Sequence, residues 1–186
     1  MGRALNSYPN SLPQPANADC DTRYHARLRE DATTEGLRDF LQDNDQMDHF
    51  IKAVFAGSPF LASLIVSHPD FTKDCLEGDV KALIEDLLDS LKEIPQGAQS
   101  EKELMSHLRK AKQKIALSIA LCDLLNVWDV MTCTKMLSHF ADTALEVSLQ
   151  WLLLREGERG RIKFQDNVQP QRNCGYFILA LGKFGA

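Results

Sequence analysis

The stretch best suited to chemistry is Gly182-Lys183-Phe184-Gly185. Two glycines three residues apart allow a tight turn and let a backbone approach a phosphate closely. A helix opening after Gly185 would add free amide groups that attract an anion. A plain strand-to-helix corner carries the same glycines, so spacing alone leaves both readings open. It is not a Walker P-loop, because the four-residue spacing and the Lys-Ser/Thr pair are absent.

Other candidates are weaker. Arg109, Lys110, Lys112 and Lys114 crowd one stretch and suit a phosphate or an acidic partner, although such runs are more often solvated helix faces. His25, His49, His68, His107 and His139 have no metal-ligand spacing, so neither a metal site nor a catalytic histidine is expected. Asp123 sits in an apolar stretch near the basic run, and a buried carboxylate needs a partner, which points to a structural ion pair. Cys122 and Cys133 fall on expected core faces and act as small apolar residues. No pair of carboxylates stands near the glycine turn in the sequence; phosphoryl chemistry uses such groups to hold magnesium.

The elements that position the turn follow from periodicity. Tyr176–Leu181 is a short apolar run bounded by glycines and reads as a buried strand. Upstream, Leu37 to Phe55 carries one apolar stripe that the polar Gln42–Gln46 stretch divides. Ser58-Pro59 is a helix start, with serine as cap and proline in the first turn. His68-Pro69 closes that helix and opens the next. Asp79 caps a helix whose Val80, Leu83, Ile84, Leu87, Leu88 and Leu91 share a face, with Pro95 and Gly97 as breakers. Ser100-Glu101-Lys102-Glu103 is a capping box, opening a helix with Leu104, Leu108, Ala111, Ile115, Ile119 and Cys122 inward. A long helix spans Val130–Leu154, with Leu137, Val147 and Trp151 among its core positions and Gly157 and Gly160 ending it. A short strand is placed at Ile162–Phe164 and a short helix near Arg23–Arg29.

The fold class expected is mainly α, a helical body followed by the first strand and glycine turn of a truncated α+β domain. Residues 1–35 form a polar tail, 36–160 the helical region and 161–186 the start of the second domain. Hydrophobic residues at 44% suffice for a core. A net charge of −5 gives no pull toward nucleic acid or anionic membrane. Five scattered cysteines fit neither zinc nor a disulfide framework and suit the cytoplasm. No apolar stretch approaches a membrane span, and the N-terminus has no basic-then-apolar signal-peptide pattern.

Four segments together resemble a family. They are Val54-Phe55-Ala56-Gly57-Ser58-Pro59-Phe60-Leu61 with His68-Pro69, Leu108-Arg109-Lys110-Ala111-Lys112 through Cys122-Asp123-Leu124, Leu137-Ser138-His139-Phe140-Ala141-Asp142, and Leu179-Ala180-Leu181-Gly182-Lys183-Phe184-Gly185-Ala186. In this order they resemble the N-terminal part of the bacterial glutamine synthetase adenylyltransferases, which are also adenylyl-removing enzymes. The resemblance implies a helical region before a nucleotidyltransferase domain, in which Gly182, Lys183 and Gly185 match the nucleotide-phosphate half of the motif. The metal-binding half, a Glu-Leu-Asn segment followed by Ser-Asp-Ile-Asp, does not occur in this sequence. It further implies that the complete enzyme adds AMP from ATP to a tyrosine of glutamine synthetase. Its N-terminal unit removes the AMP with phosphate, yielding ADP. Mg2+ and ATP/ADP are the implied cofactors, and glutamine synthetase and the PII signal protein the implied partners. The stop after Ala186 reads as a truncation, inactive alone; the alternative is a helical module that docks a partner without catalysis. Ser118 and Cys122 stand where many members carry arginine, which puts any role of those arginines in doubt here.

Overall fold

The computed structural model describes residues 4–7, 26–28, 30, 32–164, 166, 169–172 and 174–179. Seven α-helices fill the central stretch: α1 Glu35–Gln42, α2 Asp45–Gly57, α3 Pro59–Ser67, α4 Pro69–Glu77, α5 Val80–Gly97, α6 Glu101–Leu124 and α7 Val130–Glu158. Short 3-10 turns lie at Leu5–Ser7 and Ala32–Thr34, and the backbone at 26–28 is helical. The protein is therefore mainly α. The chain divides into two compact units, residues 1–86 with 113–134, and residues 87–112 with 135–186.

The first unit is built from short helices because its sequence is punctuated. The polar stretch after Phe40 and Leu41 does split the first stripe, and the Asn44 amide folds back onto the Phe40 carbonyl at 2.9 Å. Ser58 Oγ accepts the Leu61 N–H at 3.3 Å, with Pro59 in the first turn. His68 then ends α3 and precedes Pro69 of α4, whose Thr72 hydroxyl donates to the His68 carbonyl at 2.8 Å. Leu37, Phe50, Ile51, Ile65 and Leu76 are fully buried. α1 packs on α4, and α4 covers the Leu5–Ser7 turn.

The starts of α5, α6 and α7 are each set by one side chain. Asp79 Oδ1 accepts the Lys81 N–H at 3.0 Å. Ser100 Oγ accepts the Glu103 N–H at 3.2 Å, while Glu103 reaches back to the Gln99 N–H at 2.8 Å, one residue before the cap. Asp129 Oδ1 accepts the Thr132 N–H at 2.7 Å. Val80, Ile84, Leu88 and Leu91 are buried, with Leu83 and Leu87 at the margin of the same face.

Pro95 does not break α5, which continues to Gly97. Two residues from the helix end, proline removes one amide bond, and the ladder resumes with Ala98 N–H to the Ile94 carbonyl at 2.9 Å. α6 and α7 both finish in Schellman turns. In the first, Asn126 takes φ 52°, its N–H meets the Asp123 carbonyl and the Val127 N–H meets the Cys122 carbonyl, both at 2.9 Å. In the second, Gly160 takes φ 70°, with Gly160 to Gly157 at 2.9 Å and Arg161 to Glu156 at 3.0 Å. These left-handed residues let the last carbonyls find donors.

In the second unit, Trp151 and Leu153 of α7 are buried, but Leu137, expected in the core, is 48% exposed. Its position follows the apolar period, yet about half of its surface is left uncovered. α7 also runs past Leu154 and Gly157 to Glu158. Gly157 serves packing, since a Cβ there would stand 2.8 Å from a Phe164 ring carbon. Neither Ile162–Phe164 nor Tyr176–Leu179 forms a strand among the described residues. A strand is defined by its ladder, and no partner strand is present among them.

Candidate functional site

Gly182, Lys183 and Gly185 lie outside the described residues. What leads into them is described. Gly175 turns the chain at φ 81°. Tyr176, Phe177, Ile178 and Leu179 follow without helix or ladder and expose 66, 81, 53 and 73% of their surface. Four consecutive apolar residues in water are a surface in want of cover.

Two clefts border this segment. One, of about 270 Å³, lies between Asp142, Leu145, Glu146 and Leu149 of α7 and the side of Tyr176, Phe177 and Ile178. In the sequence no pair of carboxylates stands near the glycine turn; this cleft brings one beside the segment that leads into it. Asp142 and Glu146 are one turn apart on α7, and the fold of the last residues brings them there. The other cleft, of about 190 Å³, is lined by Lys163 and Arg172 together with Phe164, Pro170, Cys174 and Tyr176. Nothing local in the sequence marks this pair, because eight residues lie between the two cations in a polar stretch.

Two carboxylates on one helix face do not make a magnesium site, which takes six oxygens in near-octahedral order. Among the described residues no group of three or more His, Cys, Asp or Glu could hold a metal. The described residues do not fit that cofactor.

The remaining candidates fall into structural roles. Arg109, Lys110 and Lys112 are exposed, as a solvated face would be, while Lys114 places its ammonium 5.1 Å from the centroid of Phe71. His68 Nε2 lies 3.1 Å from Gln113 Oε1 and ties the junction of α3 and α4 to α6. His139 is exposed and belongs to no core. Asp123 is exposed too, so the partner that burial would demand is not needed.

Ser118 and Cys122 are both fully buried. The Ser118 hydroxyl donates to the Lys114 carbonyl at 2.9 Å and lies 3.5 Å from Cys75 Sγ. Burial holds the Cys75 thiol well above its usual value, at about 12, and pushes Cys122 up as well. These thiols are closed, neutral core groups rather than nucleophiles. A charged side chain in either place would be enclosed in apolar surroundings.

The sequence is similar to known proteins. The family described as Glutamate-ammonia ligase adenylyltransferase matches residues 49–186. A bifunctional glutamine synthetase adenylyltransferase/adenylyl-removing enzyme of Rhodopseudomonas palustris (strain BisB5) is 37% identical over 136 residues, 73% of this chain. The enzyme of the same description from Bradyrhizobium sp. (strain ORS 278) is 32% identical over 92% of this chain. That from Bartonella henselae is 29% identical over 82%. The matched parts span only 14, 20 and 16% of those three proteins. No solved structure matches. No helix among the described residues is long and apolar enough to cross a membrane. With the match running unbroken from His49 through the helices and the exposed apolar segment to Ala186, the chain belongs to the glutamate-ammonia ligase adenylyltransferase family.

Proposed function

We infer that this chain is the helical approach to an adenylyl-removing nucleotidyltransferase unit that acts on glutamine synthetase. The observation that carries the reading is the family match across residues 49–186, which includes the exposed segment Tyr176–Leu179. That segment becomes the first strand when the residues of a complete enzyme supply its ladder, and Gly182, Lys183 and Gly185 then turn against a phosphate. In the complete unit a phosphate oxygen attacks the adenylyl phosphorus. The bond to the tyrosine oxygen breaks, and the products are ADP and the free tyrosine side chain of glutamine synthetase. Magnesium would neutralise the charge on these phosphates; the described residues offer no ligand set for it. PII is the regulatory partner and the cytoplasm the setting of this reading.

The test is phosphate-dependent ADP release from adenylylated glutamine synthetase. The 186-residue chain alone is expected to release none. Joined to the downstream part of the Rhodopseudomonas palustris relative, it is expected to release ADP. A folded chimera without activity would sink the reading.

One observation favours a second reading, a docking module: Arg109, Lys110 and Lys112 stand exposed along one stretch of α6. Reversing the charge of Lys110 and Lys112 should then weaken binding to glutamine synthetase in a pull-down. Unchanged binding would remove that surface from consideration.

A further inference from the structure

The cleft bounded by Ile162–Phe164 on one side and Pro170–Tyr176 on the other has the chemistry of an anion site. Lys163 and Arg172 both line it, Tyr176 adds a phenol, and no carboxylate is among its described lining residues. The cleft that shares Tyr176 with it is of the opposite kind and carries Asp142 and Glu146. In a chain of net charge −5, a cleft with two cations and no acid is a local reversal of sign.

The pairing pattern sharpens the point. Just upstream, Arg155 pairs with Glu158, and Arg159 and Arg161 both pair with Glu156. Lys163 and Arg172 form no ion pair with any described carboxylate. Their charges are left for something from solution. A guanidinium offers two parallel donors and an ammonium a point charge, a combination that suits a tetrahedral oxyanion. The apolar side of the cleft, Ile162, Phe164 and Pro170, lowers the local dielectric and strengthens both contacts.

We propose that Lys163 and Arg172 form a binding subsite for a phosphoryl group, either inorganic phosphate or the phosphate chain of a nucleotide. The choice of phosphate rests on the function proposed above; the sign and shape of the cleft do not. In the sequence the subsite precedes the glycine turn at Gly182–Gly185.

The experiment titrates the whole 186-residue chain with inorganic phosphate at constant ionic strength and follows backbone amide shifts. Saturable shifts confined to residues 162–164 and 170–176 are expected. Lys163→Gln and Arg172→Gln should each weaken phosphate binding about tenfold, the loss of one charged hydrogen bond, and the double variant should abolish it. Both residues are exposed, so the spectra should otherwise remain those of the folded chain. Lys110→Gln should change nothing. Shifts that fail to saturate, that centre on residues 109–114, or that persist in the double variant would overturn the subsite. A parallel titration with ADP separates the sources: tighter binding than phosphate names the nucleotide, equal or weaker binding names inorganic phosphate, and both orders support the site. An active chimera with no phosphate binding here overturns the subsite alone. Phosphate binding in a chain whose chimera is inactive overturns the enzymatic reading alone.

Discussion

Trp151 donates its indole Nε1–H to the carbonyl of Ala98 at 3.0 Å. Arg155, one turn further along α7, donates to the same oxygen and sits with its guanidinium 5.4 Å from the Trp151 ring centroid. The carbonyl at the end of α5 is thus held twice, and the ring that holds it is itself buried. Trp151→Phe keeps most of the packing and leaves Arg155 on the oxygen, so it should cost about 1 kcal/mol. Trp151→Ala should cost about 3–5 kcal/mol, because it empties a buried site. Urea unfolding of the two variants distinguishes these terms. Equal losses would mean that the hydrogen bond, not the ring, matters.

Gly157 and Phe164 meet where the chain leaves α7. An added Cβ would approach the Phe164 ring to 2.8 Å, so Gly157→Ala must displace the ring although alanine is the better helix former by about 1 kcal/mol. In the native background the substitution should lower the melting temperature. In a Phe164→Ala background, with the ring gone, the same substitution should raise it. A loss of equal size in both backgrounds would show that close approach is not why glycine stands there.

Asn126 is a non-glycine residue in the left-handed region, at φ 52°. Asparagine tolerates that conformation and β-branched residues do not. Asn126→Gly should be neutral or stabilising, and Asn126→Val should destabilise by about 1–2 kcal/mol. Thermal unfolding measures both. Similar midpoints for the Gly and Val variants would place the turn's stability elsewhere.

The helix starts were legible because their signals are local. Ser58 with Pro59, Asp79, and Ser100 with Glu103 each act within four residues, so the sequence displays the whole interaction. Pro95 misled because its cost depends on where the helix ends, and near the end only one bond is lost. Leu137 and Asp123 misled because periodicity gives a face but does not say what covers it. The terminal segment could not be resolved by pattern alone: a strand exists only with its ladder. The pairs Asp142 with Glu146 beside Tyr176, and Lys163 with Arg172 across a cleft, come together only through the course of the chain after Gly160. No spacing rule would have found them.

Cys75 gives a prediction about alkaline stability. Burial holds its folded-state thiol at about 12 against a usual 9.0, and Cys122 and Cys133 are raised in the same direction by the same cause. Above pH 9 an unfolded thiol gives up its proton while the folded one keeps it. Unfolding then releases protons, so rising pH favours the unfolded state. The contribution is fully present below pH 9 and is lost as pH rises from 9 toward 12, by an amount on the order of a few kcal/mol. Urea midpoints across that window should fall more steeply for the native chain than for a Cys75→Ala, Cys122→Ala variant. The alanines also change packing, but that shifts the level of the curve rather than its slope. Parallel slopes would mean that the thiols titrate alike in both states and that their burial carries no alkaline penalty.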